Sequence, residues 1–340
     1  MTKYNLLHET LSIVDPTYPK NENLSTHIGK DRKLLGLLLR YAKKNGLLYA
    51  VLDRLKELGI DVSFAEKDIN NRKTNLKKTL IFLNNILEEY SIPYILIKAC
   101  NEIPHIPRDV DIFVRSEDKK DLIKAFEDQG AKIAQTGSIE TTVEFLLPID
   151  IYTKIIYFGR EVIDSEFLFK STEKKETMGI EYVGLNDNAE FMLNSLHSLF
   201  GHGCLTLLDF LHLKVIRSKL DTSFCRSYAS TRGWGRVFDL LIEELDSLYD
   251  TIYTQRKAVN FPYLFGKKFI LDCISQIDGI NLSFSNKLFI ISSLLIDEAK
   301  LKVETSALYD IIKLRPFKPI RKTLLSIAYL SRSKRGDRYS

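Results

Sequence analysis

Apolar positions recur at intervals of three and four through "KLLGLLLRYAKKNGLLYAVLDRLKELGI" (33–60), the spacing of one or two amphipathic helices with a break near Gly46. A second run with helical spacing, "NLKKTLIFLNNILEEYSI" (75–92), follows a polar spacer, whereas the first thirty residues, with Pro16 and Pro19, read as mixed and loop-like. The pattern then shortens. "PYILIKA" (93–99) and "VDIFV" (110–114) are β-branched runs of strand length, and "TTVEFLLPIDIYTKIIYF" (141–158) reads as two strand segments around Pro148. Between them "SEDKKDLIKAFEDQGA" (116–131) has a serine at the N-cap position, early acids, helical spacing and a closing glycine. From about residue 186 the helical period returns, first as two helices split near Gly201 and Gly203, then over 236–258, 264–277 and 284–312.

This order predicts an α+β protein with a small mixed-sheet core between helical flanks. The expected divisions are an N-terminal helical region (1–90), a core (91–184), a C-terminal helical domain (185–312) and a tail (313–340). The tail holds nine Lys or Arg against the single acid Asp337, and its middle, "IRKTLLSIAYL", is amphipathic. Such an end suits RNA, another polyanion, an acidic membrane surface or solvent.

Composition narrows the class only slightly. Of 340 residues, 45% are apolar and 27% charged, as in ordinary globular proteins, and the net charge of +5 permits a polyanionic partner without demanding one. Cys100, Cys204, Cys225 and Cys273 are widely spaced with no CxxC pair, which disfavours a zinc site or disulfide framework and points to a reducing compartment. The first twenty residues lack the apolar stretch of a secretion signal, and no run of 18 apolar residues suggests a transmembrane segment, so the expected location is the cytoplasm.

The chemistry concentrates in "RDVDIFV" (108–114). Residues two apart on a strand share a face, so Asp109 and Asp111 present two carboxylates to one spot. Their mutual repulsion is relieved by a divalent cation, and Mg²⁺ takes carboxylate oxygens while sharing its shell with phosphates and water. A third carboxylate, Asp150 in "PIDIYT", follows on a later strand; Glu144 in "TVEFL" is the alternative for that place.

"EEYSIPYILIKA" (88–99), "RDVDIFV" (108–114) and "DLIKAFEDQGAK" (121–132), with "LNDNAEFMLNSLHSLFGHGCLTLLDFLHL" (185–213) beyond, resemble the nucleotidyltransferase superfamily of polymerase-beta-like fold, and within it a branch of uncharacterised members with helical flanks. The resemblance covers most of residues 30–220. It implies Mg²⁺ or Mn²⁺ held by Asp109, Asp111 and Asp150, and transfer of a nucleotidyl group from an NTP to a hydroxyl acceptor such as an RNA or tRNA end. Lys98 matches a lysine ending the first strand, and with Arg108 it either reaches the nucleotide phosphates or serves as a plain strand-end lysine and salt-bridging arginine. The family's Gly-Gly or Gly-Ser after that strand is replaced here by Ala99-Cys100, which weakens the backbone and hydroxyl cradle for phosphate and leaves a nucleotide-binding module without turnover as the alternative. Some members of the superfamily act as toxins on tRNA.

Three further groups read mainly as structural. His197, His202, Asp209 and His212 do not share one helix face, "STRGWGRVFD" (230–239) suits a loop entering a helix with a buried Trp234, and His105 is a loop residue equally suited to substrate contact or plain surface.

Overall fold

The structure, a computed structural model, describes residues 6–20, 28–29, 31–98, 103–137, 140–157, 160–261, 263–265 and 267–277. Residues 1–282 form one compact unit, which contains every described element. Ala99, Cys100, the expected helix at 284–312 and the basic tail lie outside the described residues.

Four helices lead into the sheet: α1 (Leu6–Val14), α2 (Arg32–Lys44), α3 (Leu48–Glu57) and α4 (Ser63–Glu89). Asp31 caps α2 by accepting from the amides of Lys33 and Leu34. Gly46, at φ +76, makes the turn into α3 where a side chain would strike Leu208. Helix α1 occupies a stretch expected to be loop. It forms because Leu7, Leu11 and Ile13 bury one stripe, a signal only two turns long and easily masked by the prolines beyond it. Helix α4 also begins twelve residues before its apolar pattern, since its polar first half needs only Ile69 to anchor it.

The central sheet has the order β1–β2–β5–β4–β3, built from β1 (Tyr94–Ile97), β2 (Val110–Val114), β3 (Lys132–Thr136), β4 (Glu140–Glu144) and β5 (Ile149–Tyr152). Only β2 and β5 run parallel; every other neighbouring pair is antiparallel, so the fold is the α+β mixed sheet expected. One face is apolar but for the buried Thr141. Leu96, Val110, Ile112, Val114, Val143, Ile149 and Ile151 pack under α4 and under α5 (Lys119–Asp128), meeting Leu80, Leu83, Leu122 and Phe126. Ser116 is not the cap of α5; Asp118 occupies the cap position without a side-chain bond, and Gly130 at φ +77 closes the helix as expected.

After β6 (Ile155–Tyr157), β7 (Arg160–Ile163) and α6 (Ser165–Lys170), a hairpin of β8 (Thr172–Thr177) and β9 (Ile180–Leu185) precedes the helical region. Its turn places Met178 and Gly179 both at positive φ. The hairpin is absent from the sequence expectation because β8 carries four charges in six residues and its turn uses a methionine where asparagine is usual. Then come α7 (Asp187–Leu196), a π-helical turn (His197–His202), β10 (Cys204–Leu205), α8 (Leu207–Arg217), α9 (Thr222–Thr231), α10 (Gly235–Tyr249), a second π-turn (Asp250–Thr254), β11 (Tyr263–Leu264) and α11 (Lys267–Ser275). Among the described residues no helix is long and apolar enough to cross a membrane, and the described cysteines Cys204, Cys225 and Cys273 are free.

The end of α1 is tied to α8 and to the second π-turn by one knot of polar contacts. Lys214 Nζ lies 2.8 Å from Asp15 Oδ2 and 4.1 Å from the centre of the Tyr253 ring, and the Tyr253 hydroxyl also donates to Asp15. Burial alone would raise the Asp15 carboxyl, but Lys214, Tyr253 and Thr17 together hold it below the usual carboxylate range. Its ionised form therefore stabilises the fold above the unfolded value near 4, and that contribution fades as pH falls through the lower folded value. Lys214→Ala is expected to lower the unfolding free energy by about 3 kcal/mol at pH 7 in urea titrations, because it leaves a buried carboxylate unpaired. Asp15→Asn is expected to remove part of the acid-side loss of stability.

Candidate active site

The opposite face of the sheet is polar, and register places its side chains. Asp111 of β2 is the partner of Ile97 in β1 and of Asp150 in β5; Asp150 is the partner of Thr142 in β4; Tyr152 is the partner of Glu140. Asp109 lies in the bend just before β2, near enough for its charge to act on Asp111. The structure thus sets Asp111 and Asp150 on one face, with Asp109 close by. The local reason is alternation: each strand puts an aliphatic residue into the core on either side of its carboxylate, so a slip of one residue would bury the acid against α4.

Asp111 keeps only 8% of its surface exposed. Burial, and then the nearby charges of Asp109 and Asp150, push its carboxyl up to about 6 against the opposing pull of Lys98. Lys98 Nζ stands 3.6 Å from Asp111 Oδ2 and 5.2 Å from the centre of the Tyr152 ring. The lysine reaches there from a left-handed backbone conformation, φ +58, which costs a residue with a Cβ about 1 kcal/mol. Asp150 is oriented by Thr142, whose hydroxyl donates to Oδ1 at 2.6 Å. Arg108 is exposed on the loop before β2. That loop is held by Arg72, whose guanidinium donates to the Pro107 carbonyl at 3.0 Å.

Glu144 does not compete for the third place. It forms an exposed ion pair with Lys132 at 3.0 Å, on the strand pair at the sheet's edge. A different acid, Glu140, escaped the sequence reading. Its carboxyl is raised by burial and by Asp150, it is bonded to Tyr152, and its field reaches the same carboxylates. The signal that would have found it is the β4–β5 register, which a single sequence does not display. Tyr152 is likewise raised by burial and then by Asp111, Glu140, Asp150 and Asp109, so it stays a neutral phenol.

Do these residues suit a divalent cation? Among the described residues, which include Asp109, Asp111 and Asp150, no group of three or more His, Cys, Asp or Glu side chains is arranged to hold a metal ion. The chemistry of the donor set nevertheless fits. Mg²⁺ is held in phosphoryl-transfer sites by one or two carboxylates, with phosphates and water completing the shell, so an open set of hard oxygen donors is what it needs. The carboxyl of Asp111 is raised first by burial and then by the neighbouring charges of Asp109 and Asp150.

A small pocket of about 10 Å³, room for a single water, lies beside the face, between β1 and the β8–β9 hairpin, lined by Ile97, Lys98, Lys175, Tyr182 and Glu190 among others. It borders the carboxylates only through Lys98. Glu190 is buried there between Lys175 at 2.6 Å and His212 Nε2 at 3.1 Å. His105 turns inward from its loop rather than lying on the surface, and burial, then His212, push its imidazole down to about 4. Asp209 caps α8 with Thr206, and Trp234 is fully buried with Nε1 donating to the Val162 carbonyl at 2.8 Å, so neither belongs to a ligand set or a base-stacking surface.

No family model matches the chain, and no curated protein does. Among solved structures, the lincosamide antibiotic adenylyltransferase LnuA, in its lincomycin-bound crystal structure, is similar at a TM-score of 0.32 and 18% identity. The similarity covers 42% of this chain and 96% of that one.

In metal-free buffer the raised carboxyl makes Asp111 a burden on the fold. A folded value near 6 against an unfolded value near 4 favours the folded state at low pH and penalises it once the group ionises. Asp111→Asn is expected to stabilise the protein by roughly 2 kcal/mol at pH 8 with EDTA, and by nothing measurable at pH 4. Thermal or urea unfolding at the two pH values checks this.

Proposed function

We propose that this protein is a nucleotidyltransferase that moves a nucleotidyl group from an NTP to a hydroxyl acceptor with Mg²⁺ or Mn²⁺. The observation that carries the reading is the register that sets Asp111 directly beside Asp150 on adjacent parallel strands, with the charge of Asp109 acting on Asp111 from the bend just ahead. In this reading Asp109, Asp111 and Asp150 hold the metal. When bound, the cation supplies charge neutralisation at the reacting phosphate and lowers the pKa of an attacking hydroxyl. Asp150, held by Thr142, orients that hydroxyl and accepts its proton as the new P–O bond forms and the bond to pyrophosphate breaks. Lys98 leaves Asp111 for the triphosphate, and Arg108, exposed at the mouth, meets the same phosphates. Ala99 and Cys100 would line the nucleotide's phosphates from the loop after β1.

The core at 91–184 carries the chemistry in this reading. The helical regions at 1–90 and 185–312 frame the acceptor, and the tail at 313–340 favours an RNA or tRNA end as the first acceptor to test. A cytoplasmic toxin acting on tRNA is one form this takes.

A second reading keeps the nucleotide and drops the turnover. It is favoured by Lys98, whose ammonium already neutralises Asp111, and by Ala99-Cys100 in place of glycine and serine. The two separate in one experiment. With Mg²⁺ and α-labelled NTPs, with and without total RNA, the enzyme is expected to leave label on RNA, protein or an added hydroxyl compound. Asp109→Ala, Asp111→Ala and Asp150→Ala are each expected to lower that transfer on the order of a thousandfold. Thermal stabilisation by NTP and Mg²⁺ without label transfer supports the binding module, and absence of both removes the nucleotide altogether.

A further inference from the structure

Lys98 follows β1 and turns through the left-handed region, φ +58. Strain of this kind in a residue with a Cβ persists where the surroundings demand a particular side-chain aim. Here the turn carries the lysine over the polar face of the sheet, where its ammonium meets two groups at once. Nζ stands 3.6 Å from Asp111 Oδ2 and 5.2 Å from the centre of the Tyr152 ring. The carboxylate does not lock it. A charge-assisted N–H to oxygen bond measures about 2.7–2.9 Å, and 3.6 Å lies outside hydrogen-bond reach. The ring is at a full working distance, since a cation is held over an aromatic face within about 6 Å of its centroid. Only 20% of the Lys98 side chain is exposed, so water is a poor substitute for either partner.

Tyr152 is the steadier of the two. It lies on β5, two residues beyond Asp150 and therefore on the same face. Register sets it between Phe113 of β2, which is fully buried, and Glu140 of β4, to which its hydroxyl is bonded. The ring is thus fixed from both sides. Any cation that binds the acids competes with the ammonium for Asp111, but the ring carries no charge for such a cation to claim. It also leaves the charge of the ammonium intact, whereas a carboxylate in its place would neutralise the lysine.

We propose that Tyr152 positions Lys98 for the nucleotide: the ammonium pivots on the face of the tyrosine ring, from Asp111 in the free protein to the triphosphate of a bound NTP. The inference rests on the nucleotidyltransferase reading and names the residue that holds its phosphate-seeking lysine. Tyr152 is a positioning residue, because it acts on the nucleotide through Lys98.

The test reads the binding of a non-hydrolysable α,β-methylene ATP with Mg²⁺ to the full chain by calorimetry. Tyr152→Phe keeps the ring and is expected to bind nearly as well as the unaltered protein. Tyr152→Leu removes the ring and is expected to weaken binding about twofold to thirtyfold, the range of a cation–aromatic contact. With Lys98→Met already present, the leucine change is expected to cost nothing further, so the two losses are not additive. Phenylalanines with increasing numbers of ring fluorines, introduced at position 152, keep the shape of the ring while draining its negative face. Binding is expected to fall stepwise along that series, a gradient that a merely structural ring would not give, and the series replaces the leucine variant if that variant fails to fold. Additive losses, a flat fluorine series, or a gradient that survives in Lys98→Met overturns the assignment and leaves the nucleotidyltransferase reading in place. Failure of the unaltered protein to bind the analogue overturns both.

Discussion

A strand buried on both faces that must also carry a carboxylate is the constraint on which this molecule turns. Strand β2 is buried along its whole length, yet Asp111 sits in its middle beside Asp150. The aliphatic face under α4 and α5 holds β2 and β5 in register strongly enough to keep two acids side by side that would separate if free to do so. Packing energy on one side of the sheet thus sustains electrostatic strain on the other. Such strain is relieved by whatever cation arrives, and in the protein alone the nearest is the ammonium of Lys98.

The surroundings of the acids are arranged to keep other groups neutral. Tyr152 and Tyr157 stay protonated phenols, because burial and the neighbouring charges act in the same direction on each. The charged inventory at the mouth is therefore short: a cluster of acids answered by Lys98, with Arg108 exposed nearby. A site of that composition is short of positive charge until cations bind, which is the electrostatic requirement for bringing a triphosphate onto an acidic face.

What could be read from the chain follows the range of the physics. The alternation in β2 and in "PIDIY" is local, so the strands and the shared face of Asp111 and Asp150 were legible, as was the break at Gly46. Glu140 was not, because only the pairing of β4 with β5 places it beside Tyr152. His197 and Tyr157 are forty residues apart, and their contact depends on a π-turn that carries no periodic signature. The β8–β9 hairpin was hidden by its charges, and α1 by its brevity, since each is stabilised by packing against distant segments rather than by intrinsic preference.

The knot at Asp15 has a consequence for how the chain is made. Its partners Lys214 and Tyr253 come 199 and 238 residues later. At a ribosomal pace of about 5–20 residues per second, Asp15 emerges roughly ten to forty seconds before Lys214 is even synthesised. Through that interval α1 has α2 and α3, its neighbours in sequence, to pack against, but Asp15 lacks the partners that hold its charge. The seam at Asp15 consequently closes only after the strands that carry the acids have been made.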